Sequence, residues 1–284
     1  MNVFVYGTLL QGLSRYWVLE QGHAHFLGLG RLAGELYDLG AFPGLRLNPT
    51  ADASRWVYGE VYAVDDNLLA ELDDIEDYLP DDELGSMYLR RQKAVTSLHR
   101  DPDWQAYTYV YNQSLAGLAT VPQGEYRRYL LEQEIDWQWY IAYGSNLNVA
   151  RLRERVGSPK EVTTGVLEGW RLVFNKQGQQ GNVFANLVPG TAEDACPFAA
   201  YLLDPEQFQT LDAFEGAPNH YIRLGMPFVE TAGDAMLGQI YIAQPEWTGP
   251  EGRPTMDYLA HLQRGYRQHG FDITRAHRFI QSSS

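Results

Sequence analysis

The chain carries the same order of landmarks twice. Tyr6-Gly7-Thr8-Leu9 is answered by Tyr143-Gly144-Ser145-Asn146, an offset of 137. Glu76 is answered by Glu215 at 139, Tyr88-Leu-Arg90 by Tyr221-Ile-Arg223 at 133, and Tyr109-Val-Tyr111 by Gln239-Ile-Tyr241 at 130. Four landmarks in one order, with offsets drifting by a few residues, indicate a duplicated domain. The period lies far above the roughly 20–50 residues of solenoid repeats. The expected domains are 1–136 and 137–284, each of ordinary size, joined near Asp136 with almost no linker.

The repeat concentrates on a short acidic and apolar stretch, Leu72-Asp-Asp-Ile-Glu76 and Leu211-Asp-Ala-Phe-Glu215. Each reads as the end of a short helix. Residues three and four apart then share a face, so Leu68, Leu69, Leu72 and Ile75 form one apolar stripe, and Phe208, Leu211 and Phe214 the other. Glu76 and Glu215 fall within these stripes. A carboxylate pointing with core residues must be paired, neutralised or used. For one copy a structural ion pair or cap is the simpler account; two copies in matching contexts favour use.

Around these helices, Val3–Leu10, Gly34–Gly40, Trp56–Val64, Tyr88–Thr96 and Trp104–Tyr111 read as strands or strand-to-turn segments. In the second half, Trp139–Leu147, Trp170–Asn175, Phe184–Val188 and Phe198–Leu203 do the same. Further helices are expected over Arg15–Gln21, Glu125–Glu134, Asn148–Val156 and Thr255–His269. The terminal 281–284 is expected to be disordered.

The net charge of −14 argues against nucleic acid or an anionic membrane surface as a partner. Ten acids and no Lys or Arg lie between Asp65 and Glu83; this crowding is expected to raise the pKa of Glu76 and make the two carboxylates titrate differently. The acidic loop Pro80–Gly85 and the loop Pro245–Pro254 are expected to shape the pocket walls. With Cys196 the single cysteine, no intrachain disulfide or cysteine metal site can form, and the residue reads as a small buried one. His23 and His25 lack an evident third ligand. No nucleophile elbow, P-loop or dinucleotide fingerprint occurs. The start carries no basic leader, and no run approaches the roughly 20 apolar residues of a spanning helix, which gives the expectation of a cytoplasmic protein. Oligomeric state is not fixed by these features.

What is left is a glycine turn after the first strand and a core-facing Glu, in each half. Backbone N–H groups at such a turn can cradle a carboxylate or an oxyanion, and Gly7 and Gly144 permit close approach. The same glycines could equally serve the turn alone. Turn and Glu together describe a site that binds a small anionic molecule and moves protons.

The second half resembles the γ-glutamylcyclotransferase family through Tyr143-Gly-Ser-Asn-Leu147, Phe184-Ala-Asn-Leu-Val-Pro189, Leu211-Asp-Ala-Phe-Glu-Gly216 with Tyr221 and Arg223, and Tyr258-Leu259 with His269-Gly270. The first half resembles its branch of γ-glutamylamine cyclotransferases and AIG2-like proteins through Val3-Phe-Val-Tyr-Gly-Thr-Leu9, Gly59-Glu-Val-Tyr-Ala-Val64, Leu72-Asp-Asp-Ile-Glu76 and Tyr88-Leu-Arg90. The resemblance implies an α+β fold, with two tandem copies of a small closed mixed β-barrel and flanking helices. It implies that the α-amine of a γ-glutamyl group attacks its own γ-carbonyl, giving 5-oxoproline and a released amine, with no cofactor or metal. Glu76 and Glu215 would be the general acid/base residues. Tyr6, Gly7, Thr8 and Leu9, Tyr143, Gly144, Ser145 and Asn146, with Tyr88 and Tyr221, would bind the γ-glutamyl substrate. A non-catalytic binding module, or one active and one structural copy, are the competing readings. Glu215 carries the cleaner family pattern, and is the stronger candidate if one copy alone works.

Overall fold

The computed structural model describes residues 1–47, 55–99, 102–134 and 136–272, and the chain divides into two compact units, Met1–Leu130 and Leu131–Ser284. The expected disorder of 281–284 lies outside the described residues.

In the first unit the strands are β1 (Asn2–Val5), β2 (His25–Asp38), β3 (Pro43–Leu47), β4 (Trp56–Ala63), β5 (Tyr88–Ser97) and β6 (Trp104–Tyr111). They pair in the order β3-β2-β4-β1-β6-β5, and β5 returns to β2 through Gly30↔Ser97 and Arg31↔Thr96. Five strands therefore close into a barrel, with β3 as an outer hairpin partner of β2. β1 and β6 run parallel and the other pairs antiparallel, so the barrel is mixed. Closure at so small a radius needs strands without side chains where they cross. A Cβ on Gly59 would stand 2.1 Å from the carbonyl oxygen of Val5. β2 begins nine residues before the expected Gly34. Its three glycines at 28, 30 and 34 blur the alternation that marks a strand, and a bulge falls between Phe26 and Gly28.

Helix α1 (Trp17–Gln21) follows β1, and α2 (Asp66–Ile75) follows β4. The Asp65 side chain caps α2 by accepting from the Leu68 amide at 2.8 Å. Leu68, Leu69 and Leu72 are buried against the barrel, as the stripe requires. α3 (Tyr126–Glu134) follows β6 and contains the division between the two units at Leu130.

The second unit contains β7 (Gln138–Ala142), α4 (Val149–Val156), β8 (Val162–Glu168), β9 (Trp170–Gln177), β10 (Val183–Pro189), β11 (Ala195–Leu203), α5 (Pro205–Glu215), β12 (Tyr221–Val229), β13 (Ala235–Ala243) and α6 (Met256–Gln268). Five strands pair in the order β12-β13-β7-β11-β8, and a single bridge, Gly165↔Glu230, joins the two ends. β9 and β10 form a separate hairpin. What is one fourteen-residue strand in the first unit is here two, broken at Gly169, whose φ of 72° no strand residue adopts. A capping box on Asp204 and Gln207 starts α5, and left-handed Gly216 ends it. Phe208 and Leu211 are buried, but Phe214 departs from the expected core stripe. It is 55% exposed, with the Arg155 guanidinium 5.1 Å above its ring.

Among the described residues no helix is long and apolar enough to cross a membrane.

Candidate active sites

Each unit places its glycine turn beside the end of its acidic helix through one hydrogen-bonded framework. Tyr6, just after β1, donates its hydroxyl to the Tyr109 carbonyl at 2.5 Å; Tyr143, just after β7, donates to the Tyr241 carbonyl at 2.6 Å. The Tyr109 hydroxyl donates to Asp73 at 2.8 Å, and that of Tyr241 to Asp212 at 2.7 Å. Arg90 pairs with Asp73, and Arg223 holds Asp212 through Nε and Nη2 at 2.9 and 2.8 Å. Burial pushes the hydroxyls of Tyr6 and Tyr143 well above their usual range, so both remain donors. The framework therefore fixes the start of each turn to the helix that carries the Glu.

It also corrects one element of the repeat. Tyr109 plays the part of Tyr241, an offset of 132, not of Gln239. The sheet register agrees, since Val3 pairs with Tyr107 and Tyr140 with Gln239. Asp73 and Asp212 were missed as site-forming residues although they recur at the same offset of 139 as Glu76 and Glu215.

A second pair of contacts brings a wall onto each turn. Tyr88 donates its hydroxyl to the Pro43 carbonyl at 2.8 Å, and Tyr221 donates to the Ala185 carbonyl at 2.7 Å. A Cβ on Gly7 would meet Pro43 Cγ at 2.8 Å, and one on Gly144 would meet Ala185 Cβ at 3.1 Å. Glycine is needed here for close approach.

Tyr6, Gly7, Thr8, Leu9, Tyr88 and Glu76 all line one cavity of about 220 Å³ in the first unit. Arg15, which sequence reading passed over, lines it too. Among the described residues the amides of Thr8 and Leu9 have no protein acceptor, and no donor reaches the Glu76 carboxylate. Glu76 is the C-cap of α2, followed by Asp77 in a left-handed conformation. Burial pushes its carboxyl up to about 7, against the opposing pull of the Arg15 charge. The direction is the one expected, but the cause is burial and not acid crowding. The neighbouring acids are occupied elsewhere: Asp65 caps α2, Asp73 pairs with Arg90, and Glu83 pairs with Arg91 at 2.8 Å. The expectation that the acidic loop 80–85 shapes the first pocket is not met, because none of its residues lines the cavity. Asn112 and Arg91 hold that loop through Glu83.

In the second unit Tyr143, Gly144, Ser145, Asn146, Tyr221 and Glu215 also meet, but around about 30 Å³. Asn146 stands where the first copy has Leu9, and donates to Glu215 at 3.0 Å while its amide group also reaches the Tyr140 hydroxyl at 2.8 Å. Arg155 of α4 donates to the same Glu215 oxygen at 2.9 Å. The Tyr258 hydroxyl of α6 fills the mouth of the turn, accepting from the Ala185 amide at 3.3 Å and lying against Ser145. One copy thus leaves its carboxylate free beside open space, and the other ties it down.

No group of three or more His, Cys, Asp or Glu among the described residues is placed to hold a metal, His23 and His25 included. Burial pushes the Cys196 thiol up to about 12, as befits a packed and unreactive side chain.

The family model described as gamma-glutamyl cyclotransferase, AIG2-like, matches residues 3–128 and again 140–260. The Escherichia coli K12 protein YtfP, named a gamma-glutamylcyclotransferase family protein, is 30% identical over 133 residues, spanning 44% of this chain and 96% of YtfP. A Vibrio cholerae relative is 47% identical over 77 residues, which is 26% of this chain and 61% of that protein. Gamma-glutamylaminecyclotransferase A of Danio rerio is 38% identical over 84 residues, 27% of this chain and 51% of its own length. The crystal structure of YkqA from Bacillus subtilis shares the fold at a TM-score of 0.77 and 18% identity, covering 99% of this chain and 96% of YkqA. With both halves matched and the motif residues gathered at each glycine turn, the chain belongs to the gamma-glutamyl cyclotransferase, AIG2-like family as a tandem of two copies.

Proposed function

We propose that the chain is a γ-glutamyl cyclotransferase that converts a γ-glutamyl amine, amino acid or related amide to 5-oxoproline and the free amine, with the chemistry at Glu76. The observation that carries this is the placement of an unpaired, raised-pKa carboxyl across one cavity from the free amides of Thr8 and Leu9. The cavity is smaller than the roughly 300–1,000 Å³ of drug-sized pockets, which suits a glutamyl-sized group. Arg15, with no carboxylate within 4 Å among the described residues, offers its charge to the substrate α-carboxylate.

Glu76 as carboxylate takes a proton from the α-amine as that nitrogen bonds to the γ-carbonyl carbon. The turn amides receive the oxyanion that forms. Glu76 then returns the proton to the leaving nitrogen as the original C–N bond breaks, and its carboxylate is restored. A site that holds the glutamyl chain bent supplies proximity for ring closure.

The ion pair of Glu215 with Arg155 and its hydrogen bond from Asn146 favour a second element of the reading: catalysis in the first copy and binding in the second. This reverses the preference for Glu215 drawn from family pattern. The test is incubation with a panel of γ-glutamyl amines, amino acids and peptides, read by mass spectrometry for 5-oxoproline. Release from at least one class is expected, and silence across the panel overturns the proposal.

A further inference from the structure

Next to Glu215 the second unit holds a larger, outer cavity of about 300 Å³. Its wall presents three cations: Arg151 and Arg155 from α4, and Lys176 from β9. Glu215 is the one carboxylate lining it, and it is already paired with Arg155. Two positive charges are left over in a chain whose net charge is −14.

Lys176 is the unusual member. It is only 5% exposed, and among the described residues no carboxylate lies within 4 Å of its ammonium. Its hydrogen-bond partner is His220 Nδ1 at 3.1 Å, which accepts and so is unprotonated at that nitrogen. The His220 ring stacks on Trp247 at 3.8 Å and cannot easily turn away. Rings of Phe184, Tyr221 and Trp247 stand 5.1–5.4 Å from Nζ. These contacts soften the burial of the charge but do not neutralise it. Arg151 meets a second unprotonated ring nitrogen, His261 Nε2 at 3.2 Å, and its own Nε is buried with no partner. Burial and neighbouring cations hold the charged forms of both His220 and His261 in check. An unpaired buried cation such as Lys176 is costly, and a second cation without a carboxylate partner, the partly exposed Arg151, on the same cavity is not what packing alone requires.

We propose that this cavity is a binding site for a small molecule carrying at least two negative charges, which bridges Lys176 and Arg151 and is not cyclised there. Phosphate-bearing metabolites and compact polycarboxylates share this chemistry. The cavity reaches the glycine turn at Ser145, where Glu215 is held by Arg155. The cavity beside Glu76 in the first unit is lined by one cation, Arg15.

Titration calorimetry of the full chain, with inorganic pyrophosphate in one arm and citrate in the other, tests this at low ionic strength. Saturable binding of one or both is expected, and which arm binds distinguishes the two sources. Lys176→Gln and Arg151→Gln are each expected to weaken that binding tenfold or more, and Lys176→Arg to retain it. If Lys176→Gln proves unfolded by circular dichroism, the partly exposed Arg151→Gln decides. Absence of heat in both arms at millimolar anion, or affinity unchanged in Arg151→Gln, overturns the proposal. Neither arm depends on turnover at Glu76, so this site and the cyclotransferase reaction stand or fall separately.

Discussion

Arg155 Nη1 stands 2.9 Å from Oε1 of Glu215, whereas the matching Glu76 has no donor at all among the described residues. Two carboxylates at the same place in a duplicated fold thus have different partners. The difference begins in one turn position, where Asn146 can donate and Leu9 cannot.

Glutamine substitution separates the copies. Glu76→Gln is expected to lower kcat for 5-oxoproline release by about 10²–10⁴-fold, the usual worth of a general acid/base. Glu215→Gln is expected to leave kcat within a few-fold. Equal losses in the two single variants, measured by initial rates on the same substrate, would count against a division of labour.

The rate should follow the titration of Glu76. Its carboxylate form is the base, so kcat/KM is expected to rise with pH through about 7 and then level off. A profile already flat from pH 5 to 8 would remove Glu76 from the proton transfer.

The same group affects stability with a definite sign. Glu76 is raised from 4.5 to about 7 in the folded protein, so between these values the native state binds more protons than the unfolded chain. Its contribution is present below about 4.5 and is lost as pH rises through 7, by at most about 3 kcal/mol. Relative to Glu76→Gln, the wild type is expected to lose stability between pH 4.5 and 8 in urea melts. Parallel curves for the two proteins contradict this.

The Tyr–Asp–Arg framework should matter equally in both copies. Tyr109→Phe and Tyr241→Phe each remove one donor from a largely buried aspartate, at a cost of about 1–2 kcal/mol. Asp73→Asn breaks the pair with Arg90 and is expected to cost about 3 kcal/mol. Urea midpoints check both, and a neutral Tyr109→Phe would show that the hydroxyl is better served by water.

Asp77 holds φ at 51° where the second copy uses Gly216 at 66°. Asp77→Gly is expected to stabilise the first unit by about 0.5 kcal/mol, because glycine adopts this conformation without Cβ strain. A lower melting temperature for Asp77→Gly would mean that the Asp side chain makes a compensating contact.

The duplication, the two acidic helices and the approach of Glu76 and Glu215 to the core were legible in the sequence. Each depends on periodicity within about ten residues or on order along the chain, and local geometry is set locally. The strand β2 was half hidden, because its glycines serve barrel closure and erase the alternation that marks a strand. The Tyr109–Tyr241 correspondence slipped by two residues for a related reason. Only the sheet register and the hydroxyl contacts with Asp73 and Asp212 align the two tyrosines. What became of the two carboxylates was decided by tertiary structure alone. Arg155 lies 60 positions before Glu215, and Lys176 lies 44 before His220. No spacing rule joins such residues. The barrel walls bring them together, and burial then determines which charge is neutralised, which is paired and which is left over.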